Sequence, residues 1–107
     1  MTYPSNLDRN GYGPSILQEN LDCCFICGRR DRTLDRHEVF GAANRAKSKA
    51  YGLWVILCHD DCHEGPHGVH GDGKKAQWLR EFAQREAMEH YQWTIQDFRD
   101  RFFKSYI

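Results

Sequence analysis

Four cysteines in two close pairs constrain this chain more than anything else in it: Cys24 with Cys27, and Cys58 with Cys62, with thirty residues between the pairs. Two thiolates separated by two or three residues can grip one tetrahedral ion from a single turn, and two such turns complete a closed shell of four sulfurs. A chain of 107 residues buries only a modest hydrophobic core, so some staple is expected of it. The start of the chain has polar and turn-forming residues (Tyr3, Pro4, Ser5, Asn6) where a secretory leader would have a basic start and an apolar run. That predicts a cytoplasmic setting and reduced thiols holding a structural Zn²⁺, with disulfides disfavoured. Cys23 is the spare; its spacing to Cys27 is also ligand-like, and it is read as a bystander.

Charge adds a location. The formal net charge is zero, but residues 28–52 carry seven basic groups against three acidic ones, 7 − 3 = +4, whereas residues 53–73 carry four acids and no Lys or Arg. A basic segment beside an acidic, histidine-rich one suits a phosphate-binding surface next to a cation site. No run approaches the roughly 18 apolar residues of a membrane helix.

Along the chain, residues 1–22 read as a turn-rich arm or peripheral cover, with one or two helical turns in Ile16–Leu21. Cys23–Gly28 reads as a compact knuckle. Thr33–Phe40 ends in β-branched and aromatic residues and predicts a short strand, and the apolar Tyr51–Leu57 predicts a buried one. Between them Gly41–Lys49, small and basic, is expected to be an exposed loop. Cys58–Glu64 is expected to form a short helix stopped by Gly65 and Pro66. From Lys74 the recurrence of Ala76, Leu79, Phe82, Ala83 and Ala87 describes an amphipathic helix reaching to about Tyr91. A second begins at the capping-box pair Thr94 and Asp97, with Ile95, Phe98, Phe102 and Tyr106 on one face. The expected class is α+β: a small metal-stapled core over 23–73, two packing helices over 74–107, and one domain from 23 to 107.

The two halves of a four-cysteine clip would tie distant segments together. His37 and Glu38, at the end of the first strand, would meet His63, His67 and His70, which follow Cys62. Imidazoles and carboxylates can supply both a base that deprotonates water and ligands for a divalent cation, the two requirements of phosphodiester hydrolysis. Arg45 and Lys47, in the loop expected to face this cluster, are candidate phosphate clamps, with Arg36 as a further contact to nucleic acid. His67, four residues after His63, has a helical ligand interval that Gly65 and Pro66 interrupt. His59 and His90 read as surface histidines.

The succession Cys24-x-x-Cys27, His37-Glu38-Val39-Phe40-Gly41, Asn44-Arg45, Ser48, Tyr51-Gly52-Leu53, Leu57-Cys58, Cys62-His63 and Gly68-Val69-His70 resembles the HNH, or ββα-metal, endonuclease family in its small phage-type members. The resemblance covers residues 23–73, and the helices after them more loosely. It implies a ββα-metal core gripping one catalytic divalent ion such as Mg²⁺ or Mn²⁺, with His63 and His70 as its ligands. It also implies DNA as substrate, with protein partners in a larger nucleic-acid-processing complex as a further expectation. The sequence departs from the family in two places. The first motif is a ligand followed by a basic histidine: in one register His37 is the ligand and Glu38 stands in the base position, and in the other His37 is the base and Arg36, which cannot bind a cation, takes the ligand place. The middle Asn of the family falls near apolar Leu53, with Asn44 too early to replace it. A metal-stapled binding module for DNA or protein, with a degenerate site, is the reading of a different class.

Overall fold

The computed structural model describes residues 4–107, so the first three residues of the expected arm lie outside the described residues. Leu34–Glu38 forms β1 and Trp54–Cys58 forms β2. The two pair antiparallel, with Leu34 opposite Cys58, Arg36 opposite Ile56 and Glu38 opposite Trp54. Every residue of β2 is buried, as its unbroken apolar run requires. β1 is shorter than the stretch 33–40: Val39 makes a last bond to the Leu53 carbonyl at 3.0 Å, the Phe40 N–H turns to the Ser48 hydroxyl, and both side chains are buried in the core.

Residues 41–49 correct the expectation of an exposed loop. They form a 3-10 turn, Ala42–Asn44, that runs into α1, Arg45–Ala50. Alanine, arginine and lysine are strong helix formers, and the helix is fastened by a polar group. The fully buried Ser48 donates its hydroxyl to the Leu53 carbonyl at 2.6 Å and accepts the Phe40 N–H at 3.2 Å. A hydroxyl in that role carries no apolar signal for a periodicity to register.

The C-terminal half is built from α2, Gly73–Tyr91, and α3, Ile95–Phe102. Asp72 caps α2 by accepting the Lys74 N–H, and the Thr94–Asp97 capping box starts α3. Leu79, Ala83 and Ala87 are buried at the predicted spacing, and Phe98 and Phe102 are fully buried. They stack round Phe40 with ring centroids 5.4 Å and 5.0 Å from it. Ile95 differs from the expected apolar face: it remains exposed, because α3 meets the core through its later turns. Buried Gln84 joins the tail to α2, donating to the Ser105 hydroxyl at 2.9 Å and accepting the Tyr106 N–H at 2.6 Å.

The described part of the N-terminal segment lies along β2. The Trp54 indole donates to the Gly13 carbonyl at 2.9 Å, the Ser15 hydroxyl donates to the Trp54 carbonyl at 2.7 Å, and the Gln18 side-chain oxygen accepts the Ile56 N–H at 2.8 Å. Ile16–Leu21 is not helical: the Ser15 hydroxyl accepts the Leu17 and Gln18 N–H groups as a cap would, but the Gln18 side chain is drawn to the Ile56 N–H and the Cys23 carbonyl and no helix follows. Gly52 makes the close approach possible: its φ is +74°, and a Cβ there would stand 2.1 Å from the Pro14 carbonyl oxygen. Among the described residues no helix is long and apolar enough to cross a membrane.

Candidate metal centre

The knuckle is held against β2 by the Phe25 N–H, which donates to the Ile56 carbonyl at 2.7 Å. This brings Cys24 and Cys27 to the end of β2, where Cys58 closes the strand. His59–His63 then forms a single π turn, where a short helix was expected, and the turn returns Cys62 to the same point. The four sulfurs lie within 4.8 Å of one another. Cys27 Sγ and Cys58 Sγ are 3.7 Å apart, close to the roughly 3.8 Å edge of a tetrahedron with about 2.3 Å zinc–sulfur bonds. Backbone N–H groups of Cys27 and Cys62 point at Cys24 Sγ and Cys58 Sγ, at 3.5 Å and 3.4 Å. Burial pushes the Cys24 thiol up, but the backbone N–H groups around it outweigh burial and bring it down to about 7. Burial and the neighbouring thiols push Cys62 up. One thiolate forms readily in such a group and a cation is needed to hold the rest. The four cysteines are therefore positioned to bind a metal ion, as their spacing predicts, and the donor set suits a structural zinc.

A second group of donors sits beside the first. Strand alternation places Asp35 and His37 on one face of β1, and the π turn carries His63 towards them. The loop after it folds back so closely that Val69 donates to the Cys62 carbonyl at 2.9 Å and His70 to the His63 carbonyl at 3.2 Å. Gly68 permits this, since a Cβ there would meet the Asp61 carbonyl oxygen at 2.5 Å. The His37 ring lies 5.2 Å from both His63 and His70, and His63 lies 4.7 Å from His70. The facing Nε2 atoms of His63 and His70 are 3.1 Å apart, a separation that fits two imidazoles on one ion at about 2.1 Å each. His37, His63 and His70 offer ligand atoms within 4.8 Å of one another and could hold a cation.

The sequence reading missed Asp35. Its Oδ2 faces His63 Nδ1 at 2.9 Å and His59 Nδ1 at 2.5 Å. Burial pushes its carboxyl up, but the hydrogen bonds from His63 and His59 outweigh that and lower it. A carboxylate accepting Nδ1–H fixes the tautomer that leaves Nε2 with its lone pair towards a metal. The signal was present as the spacing of two between Asp35 and His37, which sets both on the same side of a strand. Asp35→Asn is expected to weaken cation binding at the imidazoles by about 10- to 100-fold, measured by calorimetric titration with Mn²⁺, while the four-sulfur site keeps its metal.

Burial lowers the pKa of His37 to about 4, with the fields of His63 and His70 acting in the same direction and Glu38 opposing them. A histidine depressed below its ordinary 6.5 takes up a proton later in the folded chain than in the unfolded one. Its contribution therefore destabilises the fold progressively as pH falls from 6.5 towards 4. At pH 5 the loss relative to pH 7 is expected to be about 2 kcal/mol in the protein free of cation at the imidazoles. The difference between wild type and His37→Gln in urea unfolding at the two pH values isolates it from the opposite effect of His59, whose pKa Asp35 raises.

The other predicted residues divide. Arg36, Glu38, Gly41 and Arg45 join the three imidazoles in lining a cavity of about 300 Å³. Arg45 Nε donates to Glu38 Oε1 at 2.7 Å. Burial raises the Glu38 carboxyl, but this bond and the Arg45 charge prevail and hold it low. The Arg36 guanidinium lies 4.3 Å over the Tyr12 ring and 4.7 Å over that of Trp54. Lys47 points elsewhere: its Nζ donates to the Arg101 carbonyl and lies 4.3 Å over the Phe103 ring, because α1 turns that face towards α3. His67 is exposed and stands outside the imidazole group; Lys75 donates to its carbonyl. Asn44 Nδ2 donates to the Phe102 carbonyl at 3.1 Å, tying the 3-10 turn to α3 while its buried Oδ1 has no hydrogen-bond partner among the described residues, and Leu53 is fully buried. Cys23 lies outside the sulfur group, and His90 is exposed. No family model, curated protein or solved structure matches this chain.

Proposed function

We propose that the chain is a divalent-metal-dependent endonuclease of the HNH, ββα-metal type that hydrolyses phosphodiester bonds in DNA. The observation that carries the reading is the meeting of His37, His63 and His70 from two separate segments, with ligand atoms within 4.8 Å, under a cavity that Arg36 and Arg45 also line. In this reading Zn²⁺ at the four cysteines is structural, since sulfur fills its shell. His63 and His70 hold the catalytic Mg²⁺, Mn²⁺ or similar ion, and Asp35 orients His63. Such an ion supplies stabilisation of the charge that develops on the departing 3′-oxygen.

His37 takes the proton from the attacking water. It is neutral at physiological pH because its pKa lies near 4, and a neutral imidazole has the unprotonated lone pair a base needs. Glu38 is not the base in this scheme: its carboxylate is engaged by Arg45, and that pairing keeps the Arg45 guanidinium at the rim, where it can meet the phosphate.

Incubation of the purified protein with supercoiled plasmid and Mg²⁺, Mn²⁺ or Ni²⁺ tests the proposal. Relaxed or linear product that depends on the added cation is expected. Binding without any change of topology would select the second reading, a metal-stapled DNA- or protein-binding module. That reading draws on the buried Leu53 where the family carries its middle Asn and on the commitment of Asn44 to α3.

A further inference from the structure

A groove of about 450 Å³ lies between the N-terminal loop and α1, lined by Leu7, Asn10, Gly11, three alanines of the 42–46 stretch, Arg45, Lys49 and Ala50. The cavity over the imidazoles adjoins it, for Arg45 lines both. We infer that the groove is a nucleoside subsite, taking the base and sugar attached to the scissile phosphate; this rests on the nuclease reading above.

Three features of the groove suit that occupant. Its volume is within the roughly 300–1,000 Å³ of small-ligand clefts, and four of its lining residues are alanines, Ala42, Ala43, Ala46 and Ala50, which leave room beside the backbone for a planar ring. Ala42 holds a left-handed backbone at φ 52°, a conformation disfavoured for alanine that recurs beside binding sites; it turns the chain between Gly41, in the imidazole cavity, and Ala43, in the groove. Two cations line it, one turn apart on α1. Arg45 is fixed by Glu38 at 2.7 Å and marks the side of the scissile phosphate. Lys49, held by the Asn10 carbonyl at 3.3 Å and lying 4.7 Å over the Tyr12 ring, meets the next phosphate along the strand. A positively charged groove that follows the backbone is one of the two general features of a site for unpaired nucleic acid, and here alanine and Leu7 side chains stand where such sites usually carry aromatic rings. A base seated in it is out of its duplex stack, so the substrate class is DNA with an unpaired nucleotide beside the cut.

Titration of the isotope-labelled, zinc-loaded protein with thymidine 5′-monophosphate and, separately, with inorganic phosphate tests this by amide shifts. The nucleotide is expected to bind about tenfold more tightly than phosphate and to move the amides of Gly11, Ala43 and Ala46. Ala46→Trp, which fills the groove from an exposed position, is expected to bring the nucleotide down to the affinity of phosphate. Ala43→Trp does the same from a second exposed position and decides the matter if the first variant loses its dispersed spectrum. Equal affinity of the two ligands for the wild type, or shifts confined to the neighbourhood of His37, His63 and His70, overturns the subsite. The measurement needs no turnover, so a chain that binds the nucleotide here and leaves plasmid intact sinks the nuclease reading and not the groove, and the converse result sinks the groove alone.

Discussion

Replacing Cys58 with serine, or stripping the metal with a strong chelator, is expected to abolish the cooperative thermal transition of this protein. The sulfur group is what joins the knuckle at Cys24 and Cys27 to the end of β2 and the π turn. Beside it stand one backbone bond, from the Phe25 N–H to the Ile56 carbonyl at 2.7 Å, the packing of the Phe25 ring 5.7 Å from that of Phe82, and the exposed pairs of Asp61 with Arg29 at 3.5 Å and Arg32 at 3.0 Å, which contribute roughly 0–1 kcal/mol each. Zinc bound by such a set contributes on the order of 10 kcal/mol or more, comparable with the whole 5–15 kcal/mol that holds a small domain folded, roughly. Losing it also leaves a cluster of partly buried thiols whose burial nothing offsets. Calorimetry together with zinc analysis measures both halves of the expectation. A chelated protein with no zinc and an unaltered melting curve would show that the sulfurs are only neighbours.

Under the proposed nuclease reading, His37→Ala is expected to lower DNA cleavage by about 100- to 10,000-fold, the range associated with loss of a general base, while zinc content and circular dichroism stay as in the wild type. The separation of effects follows from position. His37 lies on β1 with its ring turned to His63 and His70, and the fully buried side chains Phe40, Leu53, Leu57, Phe98 and Phe102 form the core without it. Glu38→Gln is the informative companion. It removes the partner of Arg45 but no base, so cleavage is expected to fall by less than about tenfold, the equivalent of an exposed ion pair. A Glu38→Gln variant as inactive as His37→Ala would instead assign the base to Glu38. Plasmid relaxation rates at saturating Mn²⁺ compare the two.

Features that depend on local chemistry were legible in the residues. The cysteine spacings, the apolar run of β2, the three- and four-residue recurrence of α2 and the Thr94–Asp97 box each specify their element through neighbours a few positions away, and the α+β class with its four-sulfur group followed. The features that were not legible depend on partners far along the chain. α1 is fixed by Ser48 bonding Leu53 and Phe40, a polar anchor invisible to a pattern of apolar residues. Lys47 looked like a loop cation until α1 turned it to the Arg101 carbonyl. Asp35 gains its meaning only when the π turn brings His63 to it, 28 positions later. His37, His63 and His70 were named from the sequence as one cluster, but the exclusion of His67 required the path of the loop after Pro66.

The way the N-terminal segment lies on β2 has a consequence for the edge of the sheet. A two-stranded ribbon normally offers an open edge whose amides and carbonyls can template another chain. Here the outward groups of Trp54 and Ile56 are occupied by a hydroxyl, a carboxamide and the Phe25 amide, a seal that no third strand provides. The hairpin thus keeps its β2 border covered, and trimming the chain before Asn20 is expected to expose it and make the protein self-associate, as light scattering would register.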